Sequence, residues 1–350
     1  MGKKLIIRFF ALTIGCVLMN QLYKSYFFER DLQQYCPEIL ELWKQQKQAD
    51  VIYFGESSNM TVRDTDVVKK NISEIVDDLL HDTRVAAVNK LATHAGIYKE
   101  WIKNMHPNQT KAIVVTLNLR SFDADWRYSE LESALQSSVV LIKPYPALLN
   151  RFLLALNSFD HKTPEIRNKE RLHEWETVQF DFPFEVPYST VRQWDDAMAN
   201  GGYLNPDGSW DLDKIELACH YIKSYAFQIT PENPRVQDFD EIVSYCQKNN
   251  VQLYLNLLAE NTEYARDLVG PVLVQIMRYN RDFLLNRYGS KKGVTIVDNL
   301  ELLNGLDFSD QNWTTEHYGY EGRLKIAKNL AKAMMLTKNA QTIDSLPLLD

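Results

Sequence analysis

Short apolar runs, each followed by a stretch with helical spacing, recur along most of this chain, and that rhythm limits the fold more than any other feature. The runs cover 49–54 (ADVIYF), 84–88 (RVAAV), 111–117 (KAIVVTL), 251–257 (VQLYLNL) and 293–297 (GVTIV). After the first of them, 64–80 carries Val67, Val68, Ile72, Ile75, Val76 and Leu79 at helical intervals, and a further helix is expected near 96–105. Near the C-terminus, Leu324, Ile326, Ala327, Leu330 and Met334 repeat the pattern. A strand covered on both faces reads as a continuous apolar run, and parallel neighbours need a crossover of helical length. The chain is therefore expected to be α/β, with a central parallel sheet between two helical layers in a three-layer α/β/α arrangement.

The first thirty residues differ in kind. Lys3, Lys4 and Arg8 precede the apolar run 9–19 (FFALTIGCVLM), extended weakly by Leu22, Tyr23, Tyr26, Phe27 and Phe28. Basic residues on that side predict an N-terminus in the cytoplasm and the remainder outside. The strictly apolar core is short for a spanning helix, so a cleaved signal peptide competes with an uncleaved anchor. No small-residue cleavage site follows the run, which favours the anchor. Residues 1–29 are thus expected to be a membrane anchor or signal segment, 30–48 a polar stalk helix, and 49–340 the main domain.

Composition narrows the partners. A formal net charge of -7 lacks the basic footprint that a phosphate backbone demands, so nucleic acid is not an expected partner. Four cysteines with no CxxC pair and no ligand spacing to histidine point to neither zinc nor a disulfide framework, although a Cys219–Cys246 bridge stays open. Neither a metal nor an organic cofactor is implied. Between about 146 and 234 the strand–helix rhythm breaks into aromatics, prolines and turn signals such as Asn205-Pro206-Asp207-Gly208. This reads as an insertion over the sheet. Its aromatics, among them Phe180, Phe182, Phe184, Trp194 and Trp210, either line a cleft or form the insertion's own small core.

In an open parallel sheet, ligands bind beyond the carboxyl ends of the strands. Directly after the first run stands Gly55-Glu56-Ser57-Ser58-Asn59, where a hydroxyl at a sharp strand-to-helix turn would be exposed. Near the other end of the chain, His317 lies in a polar, aromatic loop just ahead of the last helical pattern. A serine hydroxyl is a weak nucleophile without an adjacent base, and a loop histidine of this kind can supply one. Taken singly, Ser57 also reads as a helix cap and His317 as an ordinary loop histidine.

The combination of FGESSN after the first strand and EHYGYEGRLKIA near the C-terminus resembles the SGNH (GDSL-like) hydrolase superfamily. The resemblance covers roughly 50–336 apart from the insertion. It implies a flavodoxin-like SGNH fold, Ser57 as nucleophile with Glu56 in place of the usual aspartate, and His317 as base. Gly96, in VNKLATHAG, and Asn118, in VVTLNLRSF, are similar to the glycine and asparagine that complete the family's oxyanion hole. The family's acid, three residues before the histidine, is replaced here by Thr314; Asp310 is the nearest upstream aspartate, and Trp313 packed beneath the loop would turn it inward. The implied activity is that of an extracytoplasmic esterase or O-acyltransferase acting on acyl esters of an envelope glycan. A silent glycan-binding or scaffold protein with the same fold is the alternative.

Overall fold

The computed structural model describes residues 2–106, 108–314 and 316–344. Five strands form one sheet: β1 (Val51–Gly55), β2 (Val85–Asn89), β3 (Ala112–Leu117), β4 (Gln252–Leu257) and β5 (Val294–Asp298). All pairings are parallel, in the order β2-β1-β3-β4-β5. Each strand falls within two residues of its apolar run, because a continuous run of β-branched and aromatic residues suits only a strand covered on both sides.

Alternation along β1 shows how the layers are built. Ile52 and Phe54 join one core with Ile113, Val115, Leu253 and Leu255, beneath the helices Ala95–Lys103, Pro234–Lys248 and Pro271–Tyr288. Val51 and Tyr53 point the other way, into a second core with Val114 and Tyr254 beneath the helices Ile72–Leu79 and Tyr320–Asp344. The molecule is therefore the expected α/β/α sandwich. Strand order reverses direction between β1 and β3, which opens a crevice at their carboxyl ends.

Two expectations change, and one open alternative is settled. The helix expected over 64–80 spans only Ile72–Leu79, started by an Asn71–Glu74 capping box, and Val67 lies in the open at 96% exposure. Its predicted first half is instead a loop whose carbonyls are taken by buried Arg323, which donates to Thr61, Val68 and Lys70 and pairs with Asp66 at 2.8 Å. The expected stalk is no free spacer. It forms two helices, Phe28–Tyr35 and Pro37–Gln45, whose Leu32, Cys36, Ile39 and Leu42 belong to the main core. Finally, Cys36, Cys219 and Cys246 are buried as free thiols, so Cys219 and Cys246 are not bridged.

Between β3 and β4 lie the helices Ala147–Ala155, Pro164–Thr177, Val191–Gly201 and Leu212–Tyr225. Phe182 stacks on Phe184 with the rings 5.1 Å apart, Phe180 meets Phe182 at a tilt, and all three pack against the main core. At the N-terminus, Lys3–Tyr26 is a 24-residue helix long and apolar enough to cross a membrane.

Candidate active site

Ser57 opens the short helix Ser57–Met60 directly beyond β1. Gly55 has no room for a side chain: a Cβ there would come within 2.3 Å of Asn89 Oδ1. Close approach to β2, rather than an unusual turn, is what requires glycine. Asn59 then ties the serine's helix to its neighbours. Its Nδ2 donates to Asn89 Oδ1 at 2.8 Å and to Ser73 Oγ at 3.1 Å, and its Oδ1 accepts from the Ser73 N–H at 2.9 Å.

His317 sits at the closing end of a loop pinned on itself by an antiparallel bridge between Phe308 and Tyr318 and by the Ser309 N–H donating to the His317 carbonyl at 2.8 Å. Its Nδ1 lies 2.7 Å from Asp310 Oδ2, so the carboxylate seven residues upstream reaches back to the ring. A carboxylate there holds the ring in the tautomer whose Nε2 is free to accept a proton. Trp313 does not pack beneath this loop. It stands on the rim, 44% exposed, against the His220 ring at 3.7 Å.

Ser57 and His317 open into one cleft of about 610 Å³. Trp126 and Trp313 form its aromatic walls, Leu91, Leu131 and Leu135 its apolar side, and Arg171 its cationic edge. Among the described residues, no hydrogen bond joins Ser57 directly to His317. The insertion's aromatics are absent from this lining; Trp126 and Trp313 come from other loops.

Gly96 and Asn118 have other employment. The Gly96 N–H donates to His94 Nδ1 at 3.1 Å, and a Cβ on Gly96 would meet Asp238 Oδ2 at 2.8 Å. It is a packing glycine on the inner face of its helix, beside the buried His94–Glu132–Arg235 network. The Asn118 amide is buried and donates to Glu56 Oε1 at 2.8 Å and Glu316 Oε2 at 3.1 Å, while its own oxygen accepts from the Arg120 N–H. Neither residue lines the cleft. The cleft wall at the end of β2 is instead the turn at Leu91 and Ala92, where Ala92 holds a left-handed φ of 54°.

Behind Ser57 and His317, their chain neighbours Glu56 and Glu316 turn inward. Glu316 pairs with Arg120 through two hydrogen bonds, that from Nη2 measuring 2.7 Å, and Arg120 Nη1 reaches Thr314 Oγ1 at 3.2 Å. Glu260 closes the group, accepting from Tyr225 OH at 2.6 Å. One guanidinium cannot balance three buried carboxylates, so protons stay on. Burial, and then the nearby Glu316 charge, push the Glu56 carboxyl up to about 8, and the same two causes hold Glu260 well above the usual carboxylate range. Motif reading misses Arg120 and Glu316, which meet across 196 residues of chain with no local signal of their pairing. No protein-family model matches the chain, and no curated protein matches its sequence.

Proposed function

We propose that this protein is a membrane-anchored, extracytoplasmic serine esterase or O-acyltransferase of the SGNH type, acting on acyl esters of an envelope glycan. One observation carries the reading: a half-buried serine beyond a central strand and a histidine oriented by a carboxylate face the same cleft. His317 Nε2 takes the Ser57 proton as Oγ attacks the ester carbonyl, and later returns it to the leaving alcohol. The oxyanion is held by backbone N–H groups of Ser57 and Ala92, neither of which has an acceptor among the described residues. This replaces the expected Gly96 and Asn118 donors. Leucines at the cleft mouth suit an acyl chain, tryptophan faces suit a sugar ring, and water or a glycan hydroxyl then releases the acyl-serine.

The test is labelling of the protein by a fluorophosphonate, followed by turnover of a nitrophenyl ester. Labelling and turnover are expected in the wild type and lost in a folded Ser57→Ala variant. If Ser57→Ala keeps the wild-type rate, Ser57 is not the nucleophile; if the wild type neither labels nor turns over, the enzyme reading fails and a silent glycan-binding role takes its place.

A further inference from the structure

Solvent-facing side chains on and beside the helix Ala147–Ala155 make an apolar stripe that nothing in the cleft uses. Tyr145, Leu149, Phe152 and Leu156 are 57%, 45%, 51% and 71% exposed; Leu149, Phe152 and the C-cap Leu156, three and four residues apart, share one helical face, and Tyr145 stands just ahead of the helix start. The opposite face is anchored in the domain through buried Asn150 and Leu154. A stripe of this size in water is a liability unless something covers it.

The neighbouring element indicates the cover. The helix lies against the outer turns of Gly2–Tyr26: Asn20 Oδ1 accepts from the Leu148 N–H at 2.9 Å, satisfying a donor that the helix start leaves open. Below it, Arg151 Nε and Tyr23 OH both donate to buried Asp31, each at 2.9 Å. Met19 and Leu22 share a groove with Leu148 and Arg151. Asn20 precedes the end of the helix at Tyr26 by six residues, about 9 Å at the usual rise of ~1.5 Å per residue. A helix crossing a hydrocarbon core of ~30 Å uses about 20 residues. The contact therefore falls at the boundary between acyl chains and headgroups. Residues 133–159 contain no aspartate or glutamate, and their only cations are Lys143 and Arg151. Exposed Arg30 lines the same groove as Leu148 and Arg151.

We propose that the stripe Tyr145, Leu149, Phe152 and Leu156 is a second membrane-contact surface, seated in the outer interfacial layer of an anionic bilayer and continuous with the spanning helix. It rests on the membrane-anchored part of the function proposed above and is independent of the chemistry at Ser57. It adds a second point of contact to the spanning helix and so fixes how the domain faces the lipid. The chain segment that begins at the cleft wall with Leu131 and Leu135 ends on this stripe.

The experiment uses the full chain with Cys16→Ala, which removes the exposed thiol, in phosphatidylethanolamine–phosphatidylglycerol vesicles. Nitroxides are attached through Leu149→Cys, Phe152→Cys or Leu156→Cys. Leu12→Cys in the spanning helix and Leu204→Cys, at a 59% exposed site away from it, serve as references. Collision rates with oxygen and with a water-soluble nickel chelate are compared. The expected oxygen-to-nickel ratio at the three stripe positions is severalfold above that at Leu204→Cys and approaches that at Leu12→Cys. A ratio equal to Leu204→Cys overturns the proposal, and suppression of both collision rates overturns it in favour of a protein cover. An aqueous reading at Leu12→Cys sinks the membrane anchor itself and this inference with it, and is told apart by that reference alone.

Discussion

Glu56 and Ser57 are neighbours in the chain with opposite surroundings, one sealed under the site and one facing the cleft. The Glu56 carboxyl, raised to about 8, is protonated in the folded protein at neutral pH and ionised in the unfolded chain. The folded state therefore binds the extra proton, and stability falls as pH rises from the ordinary carboxylate range through about 8. Glu56→Gln, which mimics the protonated form and still accepts from Asn118, is expected to flatten that fall by on the order of a few kcal/mol. Urea unfolding of both proteins at mildly acidic and mildly alkaline pH checks this; parallel pH profiles would disprove it. Glu260 contributes in the same direction, so the variant's curve is shallower rather than level. Asp310 makes the other residue-scale prediction. With its carboxylate 2.7 Å from His317 Nδ1, Asp310→Asn is expected to keep the fold and lose roughly 10²-fold to 10⁴-fold in kcat near neutral pH, the cost of stabilising the wrong tautomer. A loss under about tenfold would mean that the histidine works without the acid.

At the scale of elements, the site is held by side chains that cross from one loop to another. Arg323, fully buried in the last helix, donates to carbonyls of Thr61, Val68 and Lys70 on the loop after Ser57 and to Tyr318 O beside His317. It thereby ties the loop following the proposed nucleophile to the end of the base loop. Removing it strands four carbonyls and leaves Asp66 an unpaired, nearly buried charge. Arg323→Met is expected to cost on the order of 3–5 kcal/mol, read as a lower midpoint in thermal or denaturant unfolding. Arg323→Lys should recover little of it, since an ammonium cannot span the same acceptors with a planar fork. Full recovery by lysine would show that charge alone matters at this position. Arg120 does the same for the other side of the base loop, through Glu316 and Thr314.

For the whole molecule, the boundary between the N-terminal apolar helix and the domain lies earlier than residue 48. The helices Phe28–Tyr35 and Pro37–Gln45 bury Leu32, Cys36, Ile39 and Leu42 in the main core, and the Trp43 indole donates to Asn104 O at 2.9 Å. Each such apolar side chain contributes roughly 1.5–3 kcal/mol when fully buried, against a total folding stability of about 5–15 kcal/mol. A chain beginning at Phe27 is expected to be soluble and to melt cooperatively, whereas one beginning at Lys47 should aggregate or melt far lower. Equal melting of the two by circular dichroism would return 30–48 to the role of a stalk.

The fold class, the five strands to within two residues and the helix of the N-terminus were all legible from local pattern. Apolar runs and helical spacing are properties of a few consecutive residues, and the side chains that cover a strand on both faces leave the same mark wherever those faces find their partners. The positions of Ser57 beyond a strand end and of His317 in the loop before the last helix followed from the same reading. What Gly96 and Asn118 do was decided by tertiary structure. One is consumed by His94 and Asp238, the other by two carboxylates from distant loops, and no spacing in the chain reports which way a side chain turns. The extended loop before Ile72 and the docking of 28–45 were likewise decided by partners far away in sequence, Arg323 for the first and the sheet's own core for the second. Periodicity records that a residue will be covered; only the packed structure decides by what, because that choice is made largely by side chains that meet across tens to hundreds of residues.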